Sequence, residues 1–282
     1  MKIGIAGLGL IGGSMARAYR EYSNEQGLDC KIYGFDINKS IIDFAILEGT
    51  LNGFLDEETV PQCDLIFVAL YPAAAVEYME KIAPLVGKNT YVMDLCGTKK
   101  QICDAGFTLA KKYGYTFIGA HPMAGTHFSG YKYSKANMFK GAPMVIVPPR
   151  FDDIMLYETV KQLLAPAGFG KFSFTTADEH DRMIAFTSQL AHVVSNAYVK
   201  SPTAKSHKGF SAGSYKDMTR VAWLNETMWT ELFFENKEPL LYEIDTIISS
   251  LSEYRDALVE GDREKMKAAL RQGRIAKEEI DG

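Results

Sequence analysis

Short apolar runs alternate with amphipathic stretches through the first 175 residues, and then the pattern changes. The runs Met1–Ala6, Lys31–Asp36, Asp64–Leu70, Thr90–Asp94, Thr116–Ala120, Pro143–Val147 and Lys171–Thr175 are five to seven residues long. Runs of that length, apolar at successive positions, suit strands buried on both faces of a parallel sheet. Between them, helical periodicity continues from Ser14 through Arg20 and recurs over Ser40–Glu48, Ala73–Leu85, Lys100–Tyr113 and Asp153–Leu164. Seven strands with intervening helices predict an α/β, doubly wound, mostly parallel sheet of the Rossmann type. From Ala177 onward no strand pattern is found; Glu179–Tyr198, Asp217–Glu235, Glu238–Glu260 and Arg263–Ile280 all read as helices. The chain therefore divides into a Rossmann domain, 1–175, and an all-helical domain, 176–282.

The first strand breaks into Gly7-x-Gly9-x-x-Gly12 and then into a helix. Gly7 permits the tight turn, Gly9 presents no side chain to a pyrophosphate, and Gly12 lets helix and strand pack closely. The helix N-terminus adds free N–H groups and the positive end of its dipole. Asp36, at the end of the second strand and 24 residues after Gly12, stands where a carboxylate grips an adenosine ribose. Leu10 and Ile11 within the turn, and Leu70 at the end of the third strand, complete the expected cofactor-binding set. A carboxylate accepts both ribose hydroxyls and repels a 2′-phosphate. Lys39 is the only cation just beyond Asp36, so NAD is expected rather than NADP.

Composition narrows the class further. The chain has 282 residues, 47% hydrophobic and 23% charged, enough for two globular domains. A net charge of −4 with scattered basic residues gives no footprint for nucleic acid or an anionic membrane. No run of eighteen apolar residues exists, and the N-terminus enters a strand at once rather than a signal peptide. The four cysteines, Cys30, Cys63, Cys96 and Cys103, lack metal-ligand spacing and read as buried thiols of a reducing cytoplasm.

Ligands of doubly wound sheets bind at the carboxyl ends of strands. One such end delivers His121-Pro122-Met123-Ala124-Gly125, and a histidine there suits a base that takes a proton from a carbinol. His127, nearby, reads as a solvated loop residue. The strand ending at Asp94 leads into Gly97-Thr98-Lys99, which should face the cleft, with Thr98 either a ligand contact or a helix cap. In the helical region Ser188 and His192 share a face, with Gln189 on the same side. Lys216 and Arg220, also four apart, pair two cations that a shared anionic ligand would explain. Trp229 reads as packing. His180 reads as packing at the domain junction, with Asp181 as an early helix carboxylate, and His207 reads as exposed.

Taken together, Gly7–Ser14, Asp36–Asn38, the HPMAG segment at 121–125, Asp178-Glu-His-Asp181, Ser188 through His192, Lys216-Asp-Met-Thr-Arg220 and Trp229 resemble the prephenate dehydrogenase family, which includes arogenate dehydrogenases of tyrosine biosynthesis. The resemblance implies a Rossmann domain with a helical dimerisation domain and a homodimer. It implies that His121 takes the proton of the ring hydroxyl and that Arg220 binds a substrate carboxylate. Lys216 and His192 would then surround the substrate, and Trp229 would support the pocket. Gly97 stands where many members have a Ser that contacts the histidine or ligand, a role left to Thr98 or water, and Gln189 stands where many have His, close to the substrate's variable side chain, which makes prephenate the main expectation and arogenate the alternative. Two alternatives stand beside the resemblance: a 3-hydroxyacid or imine dehydrogenase using Lys216 as its acid, and a dinucleotide-sensing regulator that binds NAD and needs neither His121 nor Arg220. No further segment for an ACT or chorismate mutase domain is expected.

Overall fold

A computed structural model describes residues 1–126 and 128–281, so the reading of His127 lies outside the described residues. The sheet is built from β1 (Lys2–Ala6), β2 (Lys31–Phe35), β3 (Gly53–Phe54), β4 (Leu65–Val68), β5 (Tyr91–Asp94), β6 (Thr116–Pro122), β7 (Pro143–Val147) and β8 (Lys171–Phe174). Its spatial order is β3-β2-β1-β4-β5-β6-β7-β8. All neighbours run parallel except β6 and β7. The order reverses between β1 and β4, and this switch point opens the crevice where such sheets take ligands. Alternation along the strands supplies two cores. Ile5, Phe67, Met93 and Ile118 pack on one face, and Ile66, Val68, Val92 and Phe117 on the other. Each β4 residue is buried, as its unbroken apolar run predicts.

Helices α1 (Leu10–Gln26), α2 (Lys39–Leu47), α3 (Pro72–Ile82), α4 (Lys100–Tyr113) and α5 (Ile154–Leu164) cover the sheet. The seven predicted strands all form. The eighth, β3, has two residues, too few to carry an alternation signal.

After β8 the chain is helical: α6 (Ala177–Ile184), a π-helical turn (Ala185–Leu190), α7 (Ala191–Val199), α8 (Gly213–Thr219), α9 (Glu226–Glu235), α10 (Lys237–Glu260) and α11 (Arg263–Asp281). The expected helix over 179–198 thus forms with a π turn inside it. The single helix expected over 217–235 does not form. It breaks after Thr219, and α9 restarts where the Asn225 side chain accepts the Met228 N–H at 3.0 Å. A side-chain cap offers the backbone a fresh start that helical periodicity alone does not reveal. Along α10 only Leu240 and Ala257 are buried. Leu241, Ile248, Leu251 and Leu258 of α10, with Leu270, Ile275 and Ile280 of α11, remain exposed. Among the described residues no helix is long and apolar enough to cross a membrane.

Candidate active site

The glycine turn is shaped as the sequence requires. Gly7 has φ +89°, and a Cβ there would strike the Ala69 carbonyl of the neighbouring β4 end. A Cβ on Gly12 would overlap the Gly7 carbonyl, so helix α1 could not approach the turn. A Cβ on Gly9 would meet nothing within 4 Å, which leaves open space over the α1 N-terminus. Leu10 and Ile11 open that helix and are half-buried; Leu70 reaches back to within 2.9 Å of where a Gly7 Cβ would stand. Asp36 accepts the Leu8 N–H at 2.9 Å through one carboxylate oxygen and the Asn38 N–H at 2.9 Å through the other. Each oxygen keeps a lone pair for a ribose hydroxyl. A groove of ≈ 530 Å³, lined in part by Phe35, Asp36, Lys39, Phe54 and Tyr78, opens beside it. These residues fit a dinucleotide.

His121 stands at the end of β6, three strands from β1, about 15 Å at normal strand spacing. Its Nδ1 lies 2.9 Å from Nε2 of His180, and His180 Nδ1 lies 2.7 Å from Oδ1 of Asp181. Asp181 also accepts the backbone N–H groups of Lys99 at 2.7 Å and Lys100 at 2.9 Å, so a residue of α6 caps the start of α4. The expectation that Asp181 serves the dipole of its own helix is therefore corrected: its carboxylate completes a neighbouring one. Burial, with His180 and Lys99 adding like charge, drives the His121 pKa well below the usual histidine range. Burial also lowers that of His180, against the pull of Asp181.

Lys99 does not face the cleft as predicted. Its side chain turns inward, pairs with Asp94 and donates to the Ala120 carbonyl at 2.8 Å. Burial works against the ammonium, but Asp94, with Cys96 and Cys103 beside it, outweighs burial, and the Lys99 pKa is raised. Thr98 is buried, and its hydroxyl donates to Glu235 Oε2 at 2.5 Å, so it neither caps α4 nor opens to the cleft. Burial, with Glu231 and Asp181 nearby, raises the Glu235 pKa against that bond. A side chain at Gly97 would touch Leu232 of α9 only at an ordinary 3.4 Å, so space alone does not exclude Ser there.

A second cluster lies in the helical region. His192 donates from Nδ1 to the Ser188 carbonyl at 2.8 Å, and its ring packs on Trp229 with centroids 4.1 Å apart. Burial lowers the His192 pKa; the Ser188 bond opposes this, and the nearby Arg220 cation adds to it. Arg220 caps the C-terminal end of α8 and is exposed, as is Lys216 one turn earlier. Among the described residues neither makes an ion pair. The structure thus brings His192, Trp229 and Arg220 together. Gln189 turns elsewhere: it is buried, donates to the Leu232 carbonyl at 3.0 Å and accepts from Asn236 at 2.8 Å. A π turn shifts the helical phase at that point, which spacing on an ideal helix does not anticipate. His207, expected to be exposed, stacks on Tyr215 with centroids 4.5 Å apart. The partnership of His180 and Asp181 with His121 is what sequence reasoning missed, although the HPMAG and Asp178–Asp181 segments were both in view.

The lowered histidines make stability fall in acid. Below about pH 6.5 the unfolded chain binds protons that folded His121 and His180 refuse. Their contribution is complete above that value and is lost as the pH drops through the interval beneath it. The thermal midpoint should fall between pH 7.5 and about pH 5.5, and fall less in His121→Asn; identical slopes would remove His121 as a source.

A glycine cradle at the switch point of a Rossmann sheet, with a half-buried histidine at a strand end and a helical domain beside it, defines a dinucleotide-dependent dehydrogenase. Comparison with known proteins narrows the class. The family model for the prephenate dehydrogenase nucleotide-binding domain matches residues 15–171, and that for the prephenate dehydrogenase dimerization domain matches 176–272. Prephenate dehydrogenase of Bacillus subtilis (strain 168) is 28% identical over 287 aligned positions, covering 99% of this chain and 75% of the relative. Among solved structures, prephenate dehydrogenase from A. aeolicus, in complex with hydroxyphenyl propionate and NAD+, is 27% identical with a TM-score of 0.81, covering 99% of this chain and 98% of that one. Arogenate dehydrogenase of Synechocystis, at 23% identity and a TM-score of 0.80 over 99% of this chain and 100% of that one, shares the fold. The chain belongs to the prephenate dehydrogenase family.

Proposed function

We propose that this protein catalyses the NAD-dependent oxidative decarboxylation of prephenate to 4-hydroxyphenylpyruvate. What carries the reading is His121, a desolvated histidine with one ring nitrogen held by His180 and the other left for a ligand. Gly7, Gly9, Leu10, Ile11, Gly12, Asp36 and Leu70 would hold the cofactor. Bound NAD supplies the acceptor for the hydride of the carbinol carbon. Every proton movement falls to the protein. His121 takes the hydroxyl proton as the ring carbon becomes carbonyl-like. The ring carboxylate then leaves as carbon dioxide, the electrons of its bond to the ring complete the aromatic system, and the proton returns to the phenolic oxygen. Aromatisation drives the step, so the protein's task is placement and accommodation of charge.

Arg220 is assigned to a substrate carboxylate, for which a guanidinium fork is suited. Lys216 adds a second positive charge one turn away, and His192 on Trp229 forms a wall beside it. Ser188, half-buried, is assigned to the same wall. Gln189 and Thr98 support the pocket through Asn236 and Glu235 rather than by touching substrate. Residues 1–175 are read as the nucleotide domain and 176–282 as the substrate and dimerisation domain. The exposed apolar faces of α10 and α11 are assigned to a homodimer contact. Four buried free thiols suit a reducing cytoplasm.

The test is formation of reduced nicotinamide with prephenate and with arogenate in parallel, each with NAD and NADP. Reduction with prephenate and NAD is the expected result. Reduction with arogenate alone would move the substrate, and none with either would overturn the reading. Arg220→Ala should raise KM by roughly 10- to 100-fold, the loss of one charge-assisted carboxylate contact, with a smaller effect on kcat. An unchanged KM would remove Arg220 from the carboxylate site.

A further inference from the structure

We infer that His180 and Asp181 are positioning residues that fix His121 as the tautomer with a proton on Nδ1 and a bare Nε2. The inference deepens the proposed function and rests on it for the role of His121, but the tautomer is a property of the protein alone. It follows from counting donors and acceptors along the chain of three side chains.

The count begins at Asp181. Its carboxylate receives the N–H groups of Lys99 and Lys100 at the start of α4, a fourteen-residue helix whose positive dipole end favours an anion there. An ionised carboxylate only accepts. His180 Nδ1, 2.7 Å from it, must therefore donate. A neutral imidazole with its proton on Nδ1 has a bare Nε2, which can only accept. His121 Nδ1 faces that atom at 2.9 Å and must donate in turn. The one hydrogen of neutral His121 is thereby spent on Nδ1, and Nε2 is left as the lone pair.

The opposite arrangement puts a bare Nδ1 on His121 and requires His180 to be doubly protonated. That imidazolium would be nine-tenths or more buried, with the Lys99 cation close enough to disfavour it. The charged groups that act on the pair are Asp181 on α6 and Asp94 and Lys99 at the ends of β5 and α4, with Glu235 of α9 one step out, near Asp181 and Lys99. Asp94 is committed to Lys99, and Glu235 to Thr98. None replaces Asp181 as the direct partner of His180.

The consequence for chemistry is directional. A proton taken at Nε2 makes His121 an imidazolium whose Nδ1–H already points at an acceptor, so the charge forms with no side chain having to turn. The unaided imidazole prefers neither that orientation nor that proton placement.

The tautomer can be read directly from two-bond nitrogen–proton correlations of the uniformly labelled full-length protein at about pH 7.5, with the His121 signals assigned by their loss in His121→Asn. We expect a pyrrole-like Nδ1 and a pyridine-like Nε2. The reverse pattern in the unaltered protein overturns the inference, whatever its substrate proves to be. His180→Leu should then release the tautomer and lower kcat by about 100-fold, the scale of a misplaced catalytic group, with KM and NAD affinity unchanged. His180→Gln, which still accepts from His121 and donates to Asp181, should recover a large part of that loss. Equal loss in both variants with the His121 signals unmoved would reduce His180 to packing. Absence of turnover with both candidate substrates, but with the expected tautomer, would overturn the proposed reaction and leave the positioning chain standing.

Discussion

Replacing His121 with Asn is expected to lower kcat by roughly 10²- to 10⁴-fold, the range a positioned base contributes, while KM changes by no more than about twofold. Asn keeps a side chain able to hydrogen-bond near the end of β6 but has no nitrogen that takes a proton near neutrality. In the proposed reaction the base is used as the hydride departs, so its loss would be felt in the transition state more than in the bound substrate. The unaltered enzyme should also keep its activity to lower pH than an ordinary histidine would allow. Burial, His180 and Lys99 all hold His121 neutral as the solution becomes more acidic. The acidic limb of kcat/KM should therefore lie below the usual histidine range. Steady-state kinetics over pH test both statements, and equal losses in kcat and in substrate binding would overturn the role of base.

The second large effect is on folding. Lys99→Met leaves Asp94 charged, fully buried and without its cation. Breaking a buried pair from one side costs about 3–5 kcal/mol, because the remaining charge is neither solvated nor neutralised. For a chain of this size the thermal midpoint should fall by roughly 10 °C. The same change removes the bond to the Ala120 carbonyl, next to His121. Activity should suffer even at temperatures where the variant is folded. Lys99→Met combined with Asp94→Asn should recover much of the stability, since no lone charge remains. The Asn would still offer one oxygen to the N–H of either Cys96 or Ala120, which Asp94 now accepts through separate oxygens. A double variant no more stable than Lys99→Met would show that the cost lies in packing rather than charge.

The centre of the sheet was legible because β1, β4, β5 and β6 are buried on both faces, which leaves unbroken apolar runs; the outer strands were read from their place in the alternation of strand and helix. Gly7, Gly9, Gly12 and Asp36 were legible because each obeys a steric or donor–acceptor rule that acts within one βαβ unit. What could not be read was decided between elements. Lys99 looks like a cleft residue on its own strand end, and only the proximity of Asp94 and the Ala120 carbonyl turns it inward. Gln189 shares a face with Ser188 and His192 on an ideal helix, but the π turn and the Asn236 side chain give it an interior role. The break between α8 and α9 depends on a single Asn225 cap. His180 and Asp181 lie 59 and 60 residues beyond His121 in the chain, and no local pattern joins them.

Asn236, buried where α9 passes into α10, donates both to the Asp181 carbonyl and to Gln189, at 2.8 Å each. It therefore braces, from behind, the backbone that presents the carboxylate to His180. Injury at this joint will masquerade as injury to the chemistry. A substitution there that barely loosens the molecule would let α6 drift and the histidine pair lose alignment, and it would register as slow turnover with ordinary substrate affinity. Distance from the substrate is thus a poor guide to which positions this enzyme can surrender.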